Sequence, residues 1–225
     1  MTLLHRQPIR RIAMLRALYL GDLLLAVPAL RALRAGFPEA EITLISLPWA
    51  QSFAQRFGRY VDRFVAFEGY PGLQEVSVDP ERSRRFVEEQ RGHDYDLVIQ
   101  MHGSGGQSNP CALALGGRMT AGFYLGEAPP GLDIAGPYPE HLPEVLRNIE
   151  LVRMLGCPDR GAHLEFPVFP GDREAAEELL RPEWLIGAPL VGIHGGAKTQ
   201  RQRWPAACFA RVADTLVTRT GARIV

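Results

Sequence analysis

The sequence predicts an α/β protein of doubly wound parallel sheets, with a first complete domain and a second, truncated one. Three observations carry that expectation. Short apolar, β-prone runs recur along the chain, and helical patterns separate them, as parallel strands with crossover helices require. Glycines gather where several of these runs end, at Gly21, at 103–106 and at 195–196. The alternation then restarts after a Gly/Pro/Asp stretch near residues 156–165. The domains are accordingly expected at 1–160 and 161–225.

Taken in order, Ile9–Leu15 reads as a first strand, followed closely by Gly21-Asp22. Residues 23–35 read as a helix that is apolar on most faces and so buried against a sheet. Pro28 either kinks that helix or marks the start of its regular part. Ala40–Leu47 is a second strand, Trp49–Phe57 a helix and Arg63–Phe67 a third strand. Residues 68–80 form a loop, Glu81–Arg91 an amphipathic helix, Asp94–Met101 a buried strand and Met119–Leu125 another. A Gly/Pro-rich loop is expected over 126–139, then a helix over 140–155. The second domain begins with HLEFPVF, a helix over 172–180 and a strand over 189–196. A helix over 205–218 and a strand over 222–225 follow, and two or three strands with two helices bury little core. The chain therefore reads as a piece of a longer two-domain protein.

Lysine plus arginine and aspartate plus glutamate both number 25, so whole-chain charge points to no nucleic-acid partner. Residues 1–36, however, hold Arg6, Arg10, Arg11, Arg16, Arg31 and Arg34 against Asp22 alone. Such a face either meets an anionic substrate or membrane surface or is simply solvated. Cys111, Cys157 and Cys208 are far apart, which argues against a disulfide framework or zinc site and fits a reducing cytoplasm. The histidines show no metal-ligand spacing, and neither a signal peptide nor a membrane-length apolar run is present. A cytoplasmic protein without metal or cofactor is expected, with peripheral membrane contact left open.

Ligands of open parallel sheets bind beyond the carboxyl ends of the strands, so the junctions carry the candidate sites. At the first, Gly21 allows a tight turn and close backbone approach. Asp22 there is either a helix cap or a general base toward a hydroxyl. No G-x-G-x-x-G follows the strand, which disfavours a nicotinamide cofactor. At the second, His102, Gly103 and Ser104 open a glycine-rich loop that either presents polar groups to a ligand or walls the cleft. At the third, Gly196, Lys198, Arg201 and Arg203 gather before Trp204-Pro205 and a helix start, an arrangement suited to a diphosphate. A solvated basic turn is the plainer alternative, and Trp204 reads as a packing residue.

The stretch IAMLRALYLGDLLLAVPALRALRAGFPEAEITLI, with DYDLVIQMHGS, MTAGFY and VGIHGGA…RWPAACFARVADTL, resembles glycosyltransferase family 9, the ADP-heptose:lipopolysaccharide heptosyltransferases. That resemblance implies a GT-B architecture of two Rossmann-like domains, the first taking the acceptor and the second the nucleotide sugar. It implies inverting, metal-independent transfer to a lipopolysaccharide-core or related anionic glycolipid, at the cytoplasmic face of the inner membrane. The family's Gly-Asp aspartate falls on Asp22 and implies the role of catalytic base. Gln202 stands where the family usually carries a lysine, so a non-catalytic glycan- or nucleotide-binding relative is the alternative.

Overall fold

The computed structural model describes residues 8–180, 187–197 and 199–225. The chain divides into two compact units, the first reaching Pro167 and the second starting at Val168.

The first unit is built on six strands: β1 (Arg11–Leu15), β2 (Glu41–Ser46), β3 (Arg63–Ala66), β4 (Leu97–Gln100), β5 (Met119–Tyr124) and β6 (Ile134–Pro137). Every neighbouring pair is parallel, in the order β3-β2-β1-β4-β5-β6. This is the Rossmann-like order expected of a doubly wound sheet. β1 lies at the middle, with Leu15 opposite Ile45 on one side and Gln100 on the other.

Successive residues of a strand face opposite ways, and both faces here are apolar. Ile12, Met14, Ile42, Leu44, Leu97 and Ile99 enter one core; Ala13, Leu15, Ile45 and Val98 enter the other. Helices α2 (Val27–Gly36), α3 (Gln51–Arg56) and α6 (Glu144–Met154) cover the first face with Leu30, Leu33, Phe53 and Val152. Helices α4 (Pro80–Arg91) and α5 (Asn109–Ala114) cover the second with Phe86, Cys111 and Ala112. Burial on both faces is why the strands read as continuous apolar runs.

Several elements differ from the sequence expectation. The helix expected over 23–35 is two: the short α1 (Leu20–Leu24) and α2, with Pro28 at the start of the second. Lacking an N–H, Pro28 cannot donate back into the preceding turn, so the ladder breaks there. The 126–139 loop contains β6, an edge strand whose Gly136 lies close under Met154, since a Cβ would stand 2.8 Å from Met154 Sδ. HLEFPVF forms no strand among the described residues, and 161–167 goes with the first unit rather than the second. Glu165 fastens that segment by accepting from Arg31 Nη1 at 3.0 Å, Tyr60 Oη at 2.6 Å and Arg59.

The second unit holds α7 (Pro170–Leu179), α8 (Ala206–Thr220) and the parallel pair β7 (Leu190–Val191) and β8 (Arg223–Ile224). Gly221, at φ 66°, ends α8 in the left-handed conformation that favours glycine. No residue of α7 or α8 is fully buried. Among the described residues no helix is long and apolar enough to cross a membrane.

Candidate functional site

The carboxyl ends of β1 and β4 converge on one polar cluster. Arg16, the first residue after β1, is completely buried. All five of its N–H donors are used. Nε and Nη2 hold the main-chain oxygen of Asp22 at 3.0 and 2.8 Å; Nη1 reaches Met101 O at 2.5 Å and Asn148 Oδ1 at 3.3 Å. Nη2 also pairs with Glu144 Oε1 at 3.0 Å. Burial pulls this guanidinium below its usual value while Glu144 and Asp22 act in the opposite direction. An arginine stays charged regardless, so a permanent cation sits under the first junction.

The sequence placed Arg16 on an exposed basic face, and the structure corrects that. Arg31 and Arg34 are also engaged, with Glu165 and Asp62; Arg6 lies outside the described residues. Arg11, which donates to His93 O at 3.0 Å, Arg16, Arg31 and Arg34 thus serve internal contacts.

Asp22 is half-buried in α1. Its Oδ2 accepts the Tyr19 N–H at 3.3 Å, a capping contact, while its main chain is fixed from beneath by Arg16. Asn148 Nδ2 donates to Leu25 O at 3.1 Å, so α6 anchors both ends of this turn. Gly21 is not the tight turn expected: it lies inside α1, has no positive φ, and has open space where a Cβ would stand. Its missing side chain leaves room beside Asp22 instead.

His102 follows β4 and is buried. Its Nδ1 accepts the Ala17 N–H at 3.2 Å, which fixes the ring proton on Nε2, 3.4 Å from Glu75 Oε1. Burial is the main cause holding its basicity below the ordinary value of 6.5; Arg16 adds to it, and Glu75 and Asp22 oppose it. His102 O accepts from Gln100 Nε2 at 2.8 Å and Ser108 Oγ at 2.7 Å, which fixes the loop's root. The glycine-rich loop needs glycine at 103 and 105, both at positive φ. At Gly105 (φ 92°) a Cβ would lie 2.1 Å from Phe123 O.

His102, Gly103 and Ser104 line an open cleft of about 490 Å³ between the 102–108 loop and residues 72–75. Glu75, in a loop without any motif, was missed by sequence reasoning. Its pairing with His102 spans distant parts of the chain and leaves no local signal.

The second unit carries a separate cleft of about 530 Å³, lined by Ile193, Gly195, Gln200, Arg203, Trp204 and Phe209 among others. Arg203 Nε donates to Ala197 O at 3.0 Å. Trp204 packs edge-on against Phe209 with ring centres 5.1 Å apart, yet stays half exposed. Gly196 and Arg201 are exposed in the same turn but do not line this cleft, and Lys198 lies outside the described residues. Gln202 Oε1 caps its own turn, accepting from Thr199 N–H at 3.3 Å and its hydroxyl at 3.0 Å. No cluster of metal-ligating side chains is found among the described residues.

No family model and no curated protein matches this chain. Solved structures do. A glycosyl transferase family 9 protein from Veillonella parvula aligns over 96% of this chain with TM-score 0.76 and 21% identity. E. coli ADP-heptose LPS heptosyltransferase II aligns over 95% with TM-score 0.70 and 18% identity. E. coli heptosyltransferase WaaC, with ADP-2-deoxy-2-fluoro heptose, aligns over 95% with TM-score 0.65 and 17% identity. The chain has the fold of the family 9 glycosyltransferases. It spans 62%, 63% and 67% of the lengths of those three family 9 and heptosyltransferase chains.

Proposed function

We propose that the protein is a glycosyltransferase, moving a sugar from a nucleotide-sugar donor, ADP-heptose or a close relative, to a hydroxyl of an anionic glycolipid such as a lipopolysaccharide core. Asp22 is the general base. The observation that carries this reading is a half-buried carboxylate at the carboxyl end of the central strand, its main chain locked by a buried, fully bonded arginine. A base held in place costs little reorganisation when it acts. The fold shared with heptosyltransferases supports the reading.

Asp22 accepts the proton of the acceptor hydroxyl as that oxygen bonds to the anomeric carbon. The bond from that carbon to the diphosphate oxygen breaks, and nucleoside diphosphate leaves with inversion. His102, Gly103 and Ser104 contact the acceptor. Gly196, Lys198, Arg201 and Arg203 serve the donor phosphates, where cations before a helix start favour anions. The reaction needs neither metal nor cofactor, and the acceptor brings the protein to the cytoplasmic face of the inner membrane as a peripheral partner.

Full-length protein mixed with ADP-heptose and a heptose-free lipopolysaccharide core should release ADP only when the acceptor is present, in chelator as well as without it. Acceptor-independent ADP release, or none, overturns the reading. Gln202, spent on capping its own turn, favours a second reading: a relative that binds nucleotide without turnover. Saturable ADP binding with no release under any acceptor would select it.

A further inference from the structure

We propose that the cleft between residues 72–75 and the 102–108 loop is a hydroxyl-recognition subsite that takes an uncharged sugar ring and rejects phosphate and carboxylate groups, with Glu75 and His102 as its orienting side chains. This inference rests on the acceptor-side reading above and adds the charge of the group admitted.

The cleft wall carries no positive charge. Its lining holds a carboxylate, two glutamines, two serines and a histidine, and no lysine or arginine. The cation whose charge reaches His102 is Arg16, and it is buried with every donor already bonded, so it has none left for a ligand. An anion entering this open cleft would face Glu75 without a counter-charge in the lining, which is unfavourable.

The two orienting groups are also poised for a neutral partner. The Ala17 N–H on Nδ1 leaves His102 as a neutral ring with one donor, and that donor points at Glu75 Oε1. Burial works against a second proton on this ring. The other carboxylate oxygen, Glu75 Oε2, is shut from solvent and has no donor among the described residues. An unsatisfied buried acceptor is costly, so this carboxylate is short of donors. Its side chain lines the cleft and is 21% exposed, so a sugar hydroxyl can donate to the carboxylate from the cleft side and accept in return from Ser104 or a loop N–H. A phosphate brings its own negative charge against the Glu75 carboxylate, which a neutral hydroxyl does not.

The full chain, labelled with nitrogen-15, should be titrated with neutral pyranosides (glucose, galactose and mannose) and, separately, with inorganic phosphate, following the amide signals of Gly103, Ser104, Gly105 and Gly106. The expected result is saturable movement of these signals with at least one pyranoside and none with phosphate. Glu75→Gln should weaken the pyranoside about tenfold or more, the size of one charge-assisted hydrogen bond, and should let phosphate move the same signals. Phosphate acting in the wild type, or no pyranoside acting, overturns the proposal without requiring any variant to fold. The transferase reading fails separately. Pyranoside binding in a protein that transfers nothing leaves this subsite standing, whereas transfer by a protein whose cleft takes phosphate removes the subsite and leaves the transferase.

Discussion

The two units treat their charged junction residues in opposite ways. In the first, Arg16 is wholly buried and spends all its donors on Asp22, Met101, Asn148 and Glu144. In the second, Arg203 is exposed, and its side chain donates once among the described residues, to Ala197 O. A cation before a helix start looks alike in both sequences, yet one is part of the scaffold and the other stays exposed to solvent. The difference follows from the sheet. Six parallel strands with two covered faces enclose the end of β1, whereas β7 and β8 sit beside helices with no fully buried residue.

The largest effect that tests this contrast is Arg16→Met. It leaves the Asp22 and Met101 carbonyls and Glu144 Oε1 without their Arg16 donors, so unfolding free energy should fall by about 3–5 kcal/mol. Arg203→Ala, an exposed change, should stay within about 0.5 kcal/mol. Urea unfolding of both variants reads the pair, and equal losses would erase the distinction.

Next in size is Gly105→Ala. It places a Cβ against Phe123 O in a left-handed backbone, and should cost about 2 kcal/mol or more. Thermal unfolding of this variant checks it. A neutral outcome would show that the 102–108 loop is looser than its hydrogen bonds imply.

The smallest effect is a pH dependence. His102, faced by Glu75, Arg16 and Asp22, has its folded basicity below 6.5. Below that value the unfolded chain takes a proton that the folded one resists. Its contribution is therefore complete above 6.5 and declines as pH falls toward the folded value. Urea midpoints on either side of 6.5 should show this decline, and His102→Gln should flatten it. An unchanged slope in the variant would assign the acid sensitivity elsewhere.

The fold was largely legible because buried parallel strands announce themselves as short apolar runs, and Leu97–Gln100 or Glu41–Ser46 needed no tertiary context. β6 was hidden because Gly136 and Pro137 carry loop chemistry, which an edge strand tolerates. Asp22, His102, Gly103 and Ser104 could be picked out as candidates because glycines follow the ends of β1 and β4 in the sequence. Arg16 and Glu75 were not. Their partners lie up to 132 residues away, and neither periodicity nor spacing records a contact made only by folding.

The most direct test of the central claim is the transfer rate of Asp22→Asn in the full-length protein, measured beside its unfolding midpoint. The side chain makes one long capping contact, so the account predicts a stability loss of no more than about 1 kcal/mol. It predicts a fall in kcat of about 10²–10⁴-fold, with nucleotide affinity unchanged. A variant that folds normally and transfers at the wild-type rate would contradict the assignment of Asp22 as base.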